Sequence, residues 1–156
     1  MIRKRHNPPR RGMTTMEFAL VLPFMMALIM VMIEMGTICY SWLTIQKAAQ
    51  SGARFASTGQ GDEEGTRLSQ IEQITKDWLA NLDKGSKEIV ISSWPSSDVS
   101  GNGASGDAGG PCHLVEVAVV YNYHPFTPVI GSMLPEIIAL SGQDRKLNEP
   151  WKPCEE

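Results

Sequence analysis

Sixteen consecutive residues without a charge, Phe18–Ile33 (FALVLPFMMALIMVMI), constrain this chain more than any other feature. The run is apolar on every face, and a chain of 156 residues could hardly bury such a helix all round. Hydrocarbon is spanned by about 20 residues of helix. Continuing across Glu34 to Leu43 supplies that length, which predicts a membrane span over about 18–43. Room remains for one domain beyond it.

The net charge of −3 hides an asymmetry. Five cations (Arg3, Lys4, Arg5, Arg10, Arg11) and no acid fall in residues 1–12, which leaves −8 for the remainder. A basic segment directly before an apolar helix stays in the cytoplasm, so the rest of the chain is expected across the membrane. Nucleic-acid binding is the competing reading of RKRHNPPRR, and its place beside the helix favours topology instead. Seven of the nine methionines lie between Met13 and Met35. Flexible, polarizable side chains suit a helix that packs first on lipid and later on other subunits.

Two acids stand out along the helix. Glu17 sits at its cytoplasmic mouth, five residues after Gly12. A secretory signal needs a basic end, an apolar middle and a cleavage site beyond it, and has no use for an acid there. One reading makes Thr14-x-x-Glu17 a capping box, local to the helix start. The other gives the carboxylate a partner in the membrane. Glu34 either snorkels to the outer interface or pairs inside an assembly. Pro23 removes one backbone hydrogen bond, so it either kinks the helix or is tolerated as proline often is in membranes.

Arg11-Gly12, Thr14-Thr15, Glu17-Phe18-Ala19, Val21-Leu22-Pro23 and the closing Ile33-Glu34-Met35-Gly36 together resemble the start of the TadE-like pseudopilins of Tad (Flp-type) tight-adherence pili. The resemblance covers about residues 10–60. It returns faintly at Val119-Val120-Tyr121-Asn122-Tyr123-His124-Pro125 and at Arg145…Asn148-Glu149. It implies cleavage by a prepilin peptidase between Gly12 and Met13, releasing a basic leader, 1–12. It implies one long helix over 13–58, half in the membrane and half under a small head, 59–156. Glu17 would then pair with the freed N-terminal amine during assembly. The implied fold is α+β: a long N-terminal transmembrane helix continuing into an extracytoplasmic pilin-like head with a second helix and a short antiparallel sheet. The implied role is structural, a minor pilin or pseudopilin supporting adhesion and biofilm formation. Implied partners are the peptidase, a second TadE/TadF-like pseudopilin, the major Flp-type pilin, the inner-membrane assembly platform and lipid. The alternative is an uncleaved, single-pass, signal-anchored periplasmic protein.

After Leu43, small and apolar residues recur at helical spacing from Ile45 to Ala56, so a continuous helix is expected, with a break near Gly36 as the other reading. Gly59–Gly65 is a loop, and Leu68, Ile71, Thr75, Trp78 and Leu82 form the stripe of a helix over 66–82. EIVISSW (88–94) and LVEVAVVYNY (114–123) read as a pair of strands across a Ser/Gly/Asp loop, 95–111. That loop lacks the lysine of a phosphate-binding motif. Val129–Leu140 reads as an apolar piece and Gln143–Glu156 as a polar tail. Tyr40 and Trp42 are expected at an outer interfacial belt and Trp78 in the core. Cys112 and Cys154 are a candidate disulfide, two free thiols being the other reading, and Cys39 is left odd. Cys112, His113 and His124 lack metal-ligand spacing, and no catalytic constellation stands out. The expectation is a non-enzyme without metal or cofactor.

Overall fold

A computed structural model describes residues 13–95, 101, 103–127, 131 and 135–154, with backbone alone at 13 and 14. Two helices, α1 (Met13–Ser57) and α2 (Arg67–Trp78), precede and pack on an antiparallel sheet. Its strands are β1 (Gly85–Trp94), β2 (Ala104–Ser105), β3 (Leu114–Tyr123) and β4 (Ile138–Leu147), in the order β2-β1-β3-β4. α1 is a single helix through both Pro23 and Gly36, so the reading with a break near Gly36 is set aside.

The two halves of α1 have different surroundings because their sequences differ. From Phe18 to Ile33 large apolar side chains point outward on all sides and nearly all are exposed. Beyond Glu34 a narrow stripe takes over: Ser41, Ile45, Ala48, Ala49, Gly52, Ala53 and Ala56 are buried at spacings of three and four. Small residues allow close approach. A Cβ at Gly52 would lie 2.4 Å from Thr75 Oγ1 of α2 and 3.2 Å from Val117 Cγ1 of β3. A Cβ at Gly142 of β4 would lie 3.1 Å from the α1 backbone at Ile45 and Gln46, which cannot give way. Helix and strand therefore meet nearly backbone to backbone at that point.

β3 supplies the floor of the core. Val115, Val117, Val119, Tyr121 and Tyr123 alternate with half-buried neighbours and face the helices. Val119 and Tyr121 pack with Ile45, Ala48, Leu79 and Leu82; Val115 and Val117 pack with Ala53, Ala56, Ile71 and Ile91. Each fully buried Val, Leu or Ile contributes about 1.5–3 kcal/mol.

Three expectations need correction. α2 stops at Trp78, and the turn that follows carries Leu79 and Leu82 into the core. With Ile71, Thr75, Leu79 and Leu82 forming the buried line, Trp78 falls on the flank and is 48% exposed. β1 begins at Gly85, where a side chain would strike the Asn122 carbonyl. Most important, the boundary between the apolar piece and the polar tail is interrupted by β4, paired along the whole of β3 with Val119 opposite Gly142 and Glu116 opposite Arg145. Its outer residues are polar because that face meets water, and Arg145 there bonds Glu116. Residues 128–130 and 132–134 of the apolar piece, and 96–100 and 102 of the glycine-rich loop, lie outside the described residues.

The tail after β4 is tied down by polar contacts. Buried Asn148 donates from Nδ2 to the carbonyls of Ala108 and Gly110 at 3.0 and 2.8 Å. Arg67, at the start of α2, donates to Ala56 O at 2.6 Å, a carbonyl in the last turn of α1 that also accepts from the Gly59 amide at 3.3 Å. It also donates to Gly109 O at 2.5 Å and lies 4.5 Å over the ring of Trp151. Trp151 Nε1 and Lys152 Nζ both donate to Asp62, and the Lys152 bond holds that carboxyl below its ordinary range. Cys112 and Cys154 are joined, with Cα atoms 5.7 Å apart and a sequence separation of 42. Loop closure on that scale is worth about 3–4 kcal/mol. Replacing both cysteines by serine is expected to lower head stability by that amount, measured by denaturant unfolding in detergent. An unchanged midpoint would show that the polar contacts alone hold the tail.

Candidate functional site

The candidate site is α1 itself, read from its free end to the point where the head takes hold. Among the described residues it is the one helix long and apolar enough to cross a membrane; its best 18-residue stretch has mean hydropathy 2.4, none of it buried by the rest of the chain. Gly12 lies outside the described residues, and Met13 opens the helix. The helix includes Thr14, whose side chain, and with it the capping-box reading, lies outside the described residues. Glu17 stands exposed one turn above Met13. Its carboxylate makes no hydrogen bond or ion pair with the described residues. Pro23 is accommodated without interrupting the helix.

Glu34 is where the structure departs most from expectation. A snorkelling carboxylate would be exposed, yet Glu34 is 1% exposed. Tyr123 Oη donates to its Oε1 at 2.6 Å, the amide of Phe126 reaches the same oxygen at 3.3 Å, and the amide of Thr127 reaches Oε2 at 3.2 Å. Three donors from the end of β3 and the segment after it thus converge on one side chain of α1. Thr37, one turn further along, lies 2.9 Å from Tyr123 Oη. The tyrosine has one proton and gives it to Glu34, while the one proton of Thr37 has both this oxygen and the Glu34 carbonyl, at 2.8 Å, as acceptors. Burial first, and the adjoining Glu34 bond second, push the Tyr123 phenol up to about 12, so it keeps the proton that it donates.

The geometry explains the residue types. A buried carboxylate is tolerated only when its acceptor sites are filled, and backbone amides of a turning segment fill them without adding a cation. The passage Tyr123-His124-Pro125-Phe126-Thr127 supplies these amides at the place where β3 ends. The sequence signals were an acid in an apolar helix and a Tyr/Pro/Thr passage far away; nothing in periodicity joins two sites 89 residues apart. Tyr40 and Trp42 lie exposed on α1, and Cys39 is a free, exposed thiol.

Replacing Glu34 by Ala strands three donors at a buried site, which costs about 1–3 kcal/mol for the unmet groups. Faster hydrogen exchange at the Phe126 and Thr127 amides, with protection of the β1–β3 ladder retained, is the expected outcome. Unchanged exchange at those two amides would rule out the carboxylate as their anchor.

The family described as TadE-like protein matches residues 12–54. No curated protein and no solved structure matches the chain. The matched stretch opens at Gly12, contains Glu17, Pro23 and Glu34, and ends inside the part of α1 that lies on the sheet. It is the segment on which the sequence resemblance rests, and over it the chain is similar to the TadE-like family.

Proposed function

We propose that this chain is a structural minor pilin or pseudopilin of a Tad-type pilus, without catalytic activity, and that it serves adhesion and biofilm formation through that pilus. The observation that carries the reading is the division of α1: an exposed apolar half containing Glu17, then a half packed under a head, within the stretch that matches the TadE-like family. The protein enters the inner membrane with its basic end in the cytoplasm and its head outside. A prepilin peptidase cuts between Gly12 and Met13. The helix then waits in lipid for a second TadE/TadF-like subunit, the major pilin and the assembly platform.

Because Glu34 is drawn into the head, the crossing segment is 13–33 rather than 18–43. Twenty-one helical residues rise about 31 Å, close to the roughly 30 Å of hydrocarbon in a bilayer. Cleavage after Gly12 therefore leaves one bilayer length of helix below the head. It also creates an amine at Met13, one turn from Glu17. A neighbour's amine can enter the apolar layer only with its charge compensated, and an opposite charge attracts it far more strongly there than in water. A carboxylate exposed at that depth, with no hydrogen bond or ion pair to the described residues, is suited to the task.

N-terminal sequencing of the membrane-bound product should read from Met13, and replacing Gly12 by a bulky residue should leave the leader attached. A start at Met1 in otherwise normal cells would support the uncleaved signal anchor instead. Glu17→Gln should preserve membrane level and cleavage while abolishing pili, because the amide keeps the shape and loses the charge. Normal piliation in that variant would remove Glu17 from the assembly role.

A further inference from the structure

The Glu34 contacts fix more than the head's attachment; they fix its height. Phe126 is hydrogen-bonded through its own amide to the residue at which the exposed apolar half of α1 ends. Its ring is 45% exposed, and Ile137, just before β4, is 50% exposed. Lys84, in the turn before β1, places its ammonium 4.0 Å from the centre of the Phe126 ring. β1 and β4 begin, and β3 ends, at this end of the sheet, with Gly85 and Ile138 both paired to Tyr123. An apolar pair with a lysine beside it thus surrounds the exit of the helix.

We infer that this end of the head is a lipid-docking surface, with Phe126 and Ile137 seated in the outer interface of the same bilayer that α1 crosses and Lys84 at the level of the lipid phosphates. The inference rests on the membrane reading above. Continuity identifies the occupant: α1 is unbroken from Met13 through Glu34, so the level of Glu34 is one hydrocarbon thickness from the helix start. Side chains held at that level meet headgroups. Phenylalanine and aliphatic side chains insert at the boundary of headgroups and acyl chains, and a lysine beside them reaches water while its stem stays in apolar surroundings. Asp83 and Glu136 are exposed at the same end, so the attachment is made by apolar insertion and not by net charge. A head seated this way is held on the membrane in one orientation before assembly, and the contact must be given up when the subunit leaves the bilayer.

The test uses the full chain with Cys39→Ala, reconstituted in vesicles of phosphatidylethanolamine and phosphatidylglycerol that contain a headgroup-nitroxide lipid. A fluorophore is attached singly at His124→Cys, Glu136→Cys, Phe24→Cys or Glu63→Cys, the last in the loop after α1, at the far end from the membrane. Labels at 124 and 136 leave Phe126 and Ile137 intact and should be quenched at least twofold more than the label at 63. Adding Phe126→Asp and Ile137→Asp should bring 124 and 136 down to the level of 63. Quenching at 124 and 136 no stronger than at 63, with position 24 protected from an aqueous quencher, would overturn the docking surface while the membrane helix stands. Position 24 open to the aqueous quencher would overturn the membrane reading and the docking surface with it.

Discussion

One buried carboxylate sets the relation between the two halves of this molecule. Glu34 accepts from Tyr123, Phe126 and Thr127, and so joins the end of the central strand to the middle of a 45-residue helix. Without that junction the head would rest on α1 through Thr37, Ile38 and the small-residue stripe from Ser41 onward. With it, the head is held at one level along the axis as well as against one face. An apolar contact could not do this alone. Alanines and glycines slide along a strand at little cost, whereas three directed hydrogen bonds to one carboxylate allow a single register.

The rest of the head follows from the closeness that the stripe permits. Gly52 and Gly142 admit Thr75 and Val117 on one side and β4 on the other, so α1, α2, β3 and β4 converge without large side chains between them. The core is correspondingly thin, built from β3 valines and a few isoleucines and leucines. Polar ties supply what a larger core would otherwise contribute. Arg67 ties α2 to the Ala56 carbonyl at the end of α1, Asn148 gathers the 108–110 carbonyls, and the Cys112–Cys154 bond closes the tail on the start of β3.

How much of this was legible in the sequence depended on whether the signal was local. α1 announced itself through its apolar run and the alanine spacing after it, and β3 through its β-branched run. β4 did not, because an edge strand with one wet face reads as polar, and IALSGQDRKL lacks the density of apolar residues that marks Leu114–Tyr123. Trp78 misled because a tryptophan at stripe spacing suggests core, while the turn at Leu79 shifted the buried line by one residue. Glu34 was visible as an anomaly, but its partners were not. A hydrogen bond between positions 34 and 123 has no sequence period, and only the folded path of β3 brings them together.

Glu17 and Glu34 are the same residue type on the same helix, and the fold treats them oppositely. Glu34 has both oxygens filled by donors from its own chain, so it has little acceptor capacity left for another molecule. Glu17 stands exposed, with no hydrogen bond or ion pair to the described residues, on a half-helix that the other described residues leave bare. A charge in such surroundings is costly in hydrocarbon and is kept only if something outside the chain compensates it. The contrast is physical: the head satisfies Glu34, whereas none of the described residues satisfies Glu17, whose carboxylate keeps its acceptor capacity.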